Sequence, residues 1–477
     1  MTQVIAAFFA YFAILLVIGV VSHRRQTSNA EFIVGNRSLN FWLTALSAHA
    51  SDMSAWLFMG LPMAVFLHGL SGSWIAIGLF IGMFSTWQFV AGKLRTATEN
   101  YNSYTLSTYF EKRFSDTSGT IRLLTAVMFL FFLSHYLSAA LIAMGLLLES
   151  VFGIDYYWGL SFATCVVVAY TFGGGFVTIA WTDLFQSLFL LFAIILVPIL
   201  AFNSLDNGFE TMRAVALSKD GYLNLFGDMS TKSIVSSVSL ALAWGLGYFG
   251  MPHIITKFMG IRDVTEMRKS KYVGMTWQFL ALSASISVGL VGGAFFLGNL
   301  EKPELVFIEM VKVLFHPFAA GFVLCGVLAA NLSTMDSMLL VCASVIGEDL
   351  YKRFAGNRST PLKAVRASRV GVILVAFTAL FIAFNKSETI LDTVLYAWAG
   401  LGSSFGPLVL MSLYFKKANK YGAIAGVFVG GTIACVWPQI SSFFTDYDVP
   451  AMIPGFFLGL LSIYFVSLAT HKKAQIR

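Results

Sequence analysis

Residues 41–66 read FWLTALSAHASDMSAWLFMGLPMAVF, a stretch apolar enough at its ends to cross a bilayer and polar in its middle. Ser47, His49, Ser51, Asp52 and Ser54 all fall within eight residues. An ionisable side chain at the centre of a membrane helix costs about 2.5–3.5 kcal/mol and normally faces a cavity or a partner. The serines can bond backbone in competition with the helical ladder. Ala45, Ala48, Ala50 and Ala55 let another helix come close, and Pro62, soon after Gly60, removes one ladder bond. The stretch predicts a helix broken near Asp52. Backbone freed at such a break offers carbonyls to a cation and N–H groups to an anion. The alternative is that Asp52 only caps a half-helix inside a protein interface.

The rest of the chain supplies the bilayer. Of 477 residues, 57% are hydrophobic and 12% charged, and the mean hydropathy is +0.77. A soluble domain carries about 25% charged residues, so lipid must solvate this surface. Cys165, Cys325, Cys342 and Cys435 lie in apolar stretches without CxxC spacing, which argues against a disulfide framework or a zinc site. The first apolar run has no basic residue before it and Arg24 and Arg25 after it, the pattern of a retained helix with its N-terminus outside.

Spans of about 20 apolar residues are expected at 3–22, 41–67, 73–92, 121–148, 158–178, 184–203, 233–255, 273–298, 318–346, 367–384, 389–415, 421–440 and 450–470. With the N-terminus outside, only Arg213, Lys219, Lys232, Lys302, Lys312 and Lys386 of the 31 Lys and Arg residues face outward. That asymmetry obeys the positive-inside rule and places the C-terminus in the cytoplasm. The net charge of +7 is then a topology signal with anionic lipid headgroups as its partner, and nucleic acid is excluded. No link between spans is long enough for an appended soluble domain.

Three further clusters interrupt the apolar spans. In SLALAWGLGYFGMPHIITKF, residues 239–258, Gly245, Gly247, Gly250 and Pro252 predict a second break. Trp244 and Tyr248 share a face at i, i+4, which suits an apolar ring or a cationic amine, or ordinary packing. In LAANLSTMDSMLLVCAS, residues 328–344, Ala330, Ser333, Thr334 and Ser337 form one stripe with Asp336 beside it. Neutral hard oxygens suit an alkali or alkaline-earth cation, although hydroxyls also bond back to their own helix. A small cation bridging the second and ninth spans explains both polar clusters. In TFGGGFVTIAWTDLFQ, residues 171–186, glycines 173–175 make a turn. Thr182 or Asp183 there either caps the next helix or, in the case of Asp183 with Gln186, begins a cation relay. The two breaks open the first span of two successive sets of five, the pointer to an inverted repeat.

The motifs SDMSAW, TIAWTDLFQ, WGLGYFGMPHI, LAANLSTMDS, LLVCAS, EDLYK, LYAWAGLGSSFGPLVL and IPGFFLGL occur in an order that resembles the sodium:solute symporter family, and within it the branch that carries proline. The resemblance implies an all-α polytopic membrane protein, one unit over 1–477, with a LeuT-type 5+5 inverted-repeat core at 41–203 and 233–415. One extra helix at 3–22 and two at 421–470 complete thirteen transmembrane helices. It implies a sodium site from Ala50, Met53, Ala330, Ser333 and Thr334. It places the solute against Ser54, Ala55, Tyr136, Trp244 and Tyr248, with Pro252 nearby. Asp52 and Asp183 match its functional aspartates. Asp336 stands where an uncharged residue is usual, so Asp183, Asp336 and Ser337 offer a second cation site. Ala55 replaces a common glycine, and His49 a small residue.

The expected function is Na⁺-coupled uptake of L-proline by alternating access across the inner membrane, with Na⁺ as the coupling ion. No organic cofactor and no obligate protein partner are expected. The alternative is Na⁺- or H⁺-coupled transport of another small solute: a different amino acid, a vitamin or a sugar acid. A sensor or channel is a weaker reading. No HExxH, nucleophile elbow or P-loop suggests an enzyme.

Overall fold

The structure, a computed structural model, describes residues 2–22, 28–173, 175–356, 359–385 and 389–471. Arg24, Arg25, Lys386 and Gly174 lie outside the described residues. The fold is all-helical; the only extended pairing among the described residues is one bridge between Leu39 and Ile261.

The long elements are α1 (Thr2–Ser22), α2 (Phe41–Asp52), α3 (Gly60–His68), α4 (Trp74–Thr86), α5 (Thr120–Phe152), α6 (Tyr156–Gly173), α7 (Phe176–Asn203) and α8 (Thr231–Gly247). They continue with α9 (Pro252–Met259), α10 (Met267–Phe295), α11 (Pro317–Ser344), α12 (Pro361–Ala383), α13 (Ile390–Tyr414), α14 (Lys420–Ile440) and α15 (Met452–Ala469). Helices α11 and α13 are the most enclosed, whereas α1, α14 and α15 bury only a minor share of their surface. Phe9, Leu16, Val20 and Val21 of α1 are exposed large apolar side chains, as a lipid-facing helix requires.

Both predicted breaks are present. Asn40 caps α2 by accepting from the Leu43 N–H, and the helix ends at Met53, whose φ/ψ of −86°/81° leave the helical region. Ser54 is extended, a short 3₁₀ turn covers Ala55–Leu57, and α3 begins at Gly60. Pro62 therefore sits in the first turn of α3, where no ladder bond is due from its nitrogen. The serines and Asp52, not the proline, mark the interruption. In the second break α8 ends at Gly247, Met251 is extended, and Pro252 occupies the first turn of α9.

Eleven segments among the described residues are long and apolar enough to cross a membrane, and Tyr156–Ala169 is a shorter apolar helix. One of the eleven, Ala55–Asn100, is a 46-residue run. It is not straight. Gly69 takes φ +66°, and a Cβ added at Gly72 would meet the Ala64 backbone at 2.8 Å. Eight residues of straight helix would separate those positions by about 12 Å, so the chain folds back between α3 and α4.

The structure corrects the start of the sixth expected span. Helix α7 begins at Phe176, with Gly175 in the capping position, rather than near residue 184. Asp183 lies inside the helix and caps nothing. Thr182 bonds its own helix at Ile179 O, 2.9 Å away.

Candidate functional site

The break after α2 faces the hydroxyl stripe of α11. Ser333 Oγ donates to Ala50 O at 2.8 Å and Thr334 Oγ1 reaches the same oxygen at 3.4 Å. Both hydroxyls also bond their own helix, Ser333 to Ala329 O and Ala330 O and Thr334 to Ala330 O. The back-bonding and the bridging contact therefore coexist. One turn on, Ser51 Oγ and Ser337 Oγ are 2.8 Å apart. Met53 is fully buried at the same break. Ala50 O, Ser333, Thr334 and Ala330 O thus form a buried knot of neutral oxygens between two helices, the donor set a hard monovalent cation takes.

Asp52 does not point into that knot. Its Oδ2 accepts a hydrogen bond from Tyr248 OH, and Gln278 Nε2 donates to the same phenol oxygen at 3.1 Å. Asp52 thereby ties the first broken helix to the second, while its Oδ1 is buried without a hydrogen bond among the described residues.

Aromatic rings gather beside this link. Trp244 lies between Trp56 and Trp398, with ring centroids 6.0 and 5.6 Å away, and Tyr248 meets Trp398 edge-on at 5.1 Å. Trp398 Nε1 donates to Trp244 O at 3.1 Å, and Trp56 Nε1 to Asp52 O at 3.1 Å. Tyr136 packs edge-on against His253 at 5.5 Å. Ser54 and Ala55 are buried at the break, and the Ala55 N–H donates to Asn331 Oδ1 at 3.0 Å. The Tyr136 hydroxyl lies by Trp56 and Ser54, and Trp244 Nε1 and Asn331 Nδ2 are buried polar atoms without a hydrogen-bond partner among the described residues. Such groups cost about 1–3 kcal/mol each unless something else satisfies them. Pro252 stands apart, lining a small cavity of about 20 Å³ with Phe129 and Leu340.

Asp183 is brought to α2 by α7. Ser47 Oγ donates to its Oδ2 at 2.6 Å, and Lys257 Nζ of α9 pairs with the same oxygen at 2.9 Å. Lys257 and Asp183 are 1% and 0% exposed, so this is a fully buried ion pair. Gln186 turns away, its Nε2 reaching Tyr11 OH of α1 at 3.5 Å. Asp336 is buried on α11 next to Ser337.

A model of the sodium:solute symporter family matches residues 32–430, a stretch that contains both breaks, the oxygen knot and the Asp183 cluster. The chain belongs to the sodium:solute symporter family. Among its family relatives, the high-affinity proline transporter PutP of Bacillus subtilis is 41% identical over 467 residues, covering 97% of each chain. The osmoregulated proline transporter OpuE of the same organism is 38% identical, covering 99% of this chain and 96% of its own. A sodium/proline symporter of Staphylococcus aureus is 40% identical over 97% of this chain and 92% of its own. Among solved structures, the substrate-bound, outward-open Na⁺-coupled sialic acid symporter superposes with a TM-score of 0.82 at 17% identity, over 98% of this chain and 97% of that one. At that identity the likeness shows the fold alone, and it bears out the LeuT-type architecture.

Within this family framework, four polar or aromatic residues escape a reading of the sequence. Lys257 sits two residues past the expected end of its span and looks like a loop cation. Gln278 stands alone in an apolar span, and its partner Tyr248 is 30 residues away. Asn331 lies inside a quoted motif, yet only the fold brings it to Ala55. Trp398 is one aromatic among many. His49, unexpected in its position, accepts from Trp87 Nε1 at 3.2 Å and lies near Trp277 at 5.9 Å, which makes it a packing partner of the turn that follows α4 and of α10.

Proposed function

We propose that this chain imports L-proline coupled to Na⁺, by alternating access in the inner membrane. The orientation is N-terminus outside and C-terminus cytoplasmic. Thirteen spans follow if the folded-back run, the two broken helices and the short apolar helix are each counted as membrane crossings. The inverted repeats are then 41–203 and 233–415, with 3–22 and 421–470 outside them. The observation that carries the reading is the convergence of Ser333 and Thr334 on Ala50 O at a break in the first core helix.

Na⁺ is a co-substrate. It would enter the knot by replacing the Ser333 hydrogen bond to Ala50 O, with the hydroxyls of Ser333 and Thr334 and the carbonyls of Ala50, Met53 and Ala330 around it. This locks α2 to α11. Each cation moved inward gains about 2.3 kcal/mol per 100 mV of membrane potential.

Proline would lie against Trp244, Tyr248 and Tyr136. Its carboxylate would meet the N–H groups at Ser54 and Ala55, displacing the Asn331 amide that now holds Ala55 N–H. Asp52 would orient both broken helices through Tyr248 rather than ligate the ion. A second cation at Asp183, near Asp336 and Ser337, would have to displace the Lys257 ammonium. Rocking of the broken-helix bundle against its neighbours then releases ion and solute inside.

The tryptophans supply a direct test. Proline should alter the intrinsic fluorescence of the purified protein in NaCl and leave it unchanged in choline chloride. Glutamate and leucine should do little in either salt. A proline response that is identical in both salts counts against the coupling.

A further inference from the structure

An open groove of about 1250 Å³ lies where residues 87–113, 264–272 and 412–416 meet. Its lining carries Lys93, Arg113, Arg268, Lys271 and Lys416, and no carboxylate among the described lining residues. Some basic groups elsewhere pair with carboxylates, such as Arg95 with Glu99, Arg122 with Asp349, Lys312 with Glu309 and Lys352 with Glu348, while others, such as Arg37 and Lys112, bond only neutral oxygens. Among the described residues the five groove cations have no such pairing. Lys93 Nζ stands over the Tyr414 ring at 3.8 Å and Arg113 Nε donates to Ser412 O at 2.9 Å.

Lys271 carries the argument. It is only 8% exposed, and a buried ammonium is costly without an anion. Its partners here are Gln88 Oε1 at 2.7 Å and the rings of Tyr272 and Phe84 at 4.7 and 5.1 Å. Gln88 belongs to a π-helical turn, Trp87–Ala91, a local irregularity that often marks function. The same groove has apolar wall residues, Val264, Met267 and Leu413, and tyrosines 101, 109 and 272. Tyrosine is enriched where membrane meets water.

We propose that this groove seats the headgroup of an anionic phospholipid, its phosphate nearest Lys271 and its glycerol end over the apolar wall. Basic pockets between membrane helices on the cytoplasmic side take such headgroups. Inorganic phosphate would answer the lysine but leave the apolar wall uncovered, so a lipid is the better complement. The proposal rests on the membrane placement and orientation above, and is independent of which solute is carried.

Native mass spectrometry of the full chain, released from micelles doped with equal phosphatidylglycerol and phosphatidylethanolamine, tests it. Phosphatidylglycerol adducts should dominate by roughly fivefold or more. Lys271→Gln/Arg268→Gln should abolish that preference. Lys363→Gln/Arg366→Gln, which removes equal charge elsewhere on the basic face, should keep it. If the first pair does not elute as a monodisperse folded protein, Lys93→Gln/Lys416→Gln, at two exposed positions, should reduce the preference in its place. Equal retention of both lipids overturns the site, as does equal loss in the control pair or a preference that survives every groove substitution. Displacement of the lipid by millimolar inorganic phosphate would make it a soluble-anion site and overturns the lipid assignment.

Discussion

Asp52 looks in the sequence like a charge the bilayer should punish, and the fold gives it a phenol for a partner. Tyr248 donates to its carboxylate and Gln278 steadies the phenol. A hydrogen bond to a charged group contributes about 1.5–3 kcal/mol. Tyr248→Phe should therefore lower uptake at subsaturating proline by about tenfold or more, with protein yield unchanged; uptake equal to the parent chain removes this bond from the account. Ser333→Ala/Thr334→Ala should raise the Na⁺ concentration for half-maximal uptake by about tenfold or more, and an unaltered Na⁺ dependence removes the proposed ion site. What made Asp52, Ser333 and Thr334 legible in the sequence is the cost of polarity at membrane depth. Asn331 and Gln278 are polar at the same depth, but their meaning depends on partners that sequence spacing does not place beside them.

Among the helices, both interruptions were legible because glycines, serines and prolines concentrate there. The cause was only partly legible, since Pro62 falls after the break rather than at it. The start of α7 was misplaced because the fifth expected span ran on to residue 178, which counted Phe176, Val177 and Thr178, the opening residues of α7, with the helix before it. With that shift Asp183 moved from a cap to the middle of a helix, facing Lys257 of α9. Removing one partner of a buried ion pair costs about 3–5 kcal/mol, whereas removing both with apolar residues is often neutral. Lys257→Met should therefore lower the unfolding temperature in detergent clearly more than the double change Lys257→Met/Asp183→Leu. If the double variant is as unstable as the single one, the pair is not what joins these helices. Close helix crossing gives a further test. A Cβ on Gly82 would collide with the backbone of Gly245, so Gly82→Val must push α4 from α8. It should cut the yield of folded protein or lower its unfolding temperature by several degrees, and a fully stable variant would contradict the packing described.

For the molecule as a whole, hydropathy made the bilayer legible and charge asymmetry gave the orientation reading. Counting spans did not separate α1 at the periphery from the enclosed α11 and α13, although the mean hydropathy of 2.9 for α1 against 1.7 and 1.4 for the segments holding α11 and α13 goes with that difference. Burial of α11 among other helices brings its Ser333 and Thr334 hydroxyls to the Ala50 carbonyl, where the ion site is proposed. In the proposed mechanism, two broken helices joined through Asp52 and Tyr248, with an oxygen knot on one side and aromatic rings on the other, make solute binding depend on a cation. The direct measurement is uptake of radiolabelled L-proline into proteoliposomes of the purified chain, with an inward Na⁺ gradient or with equal Na⁺ on both sides. Accumulation above the external concentration should occur only with the gradient and should increase when the interior is made negative. Equal uptake in the two conditions would contradict the account.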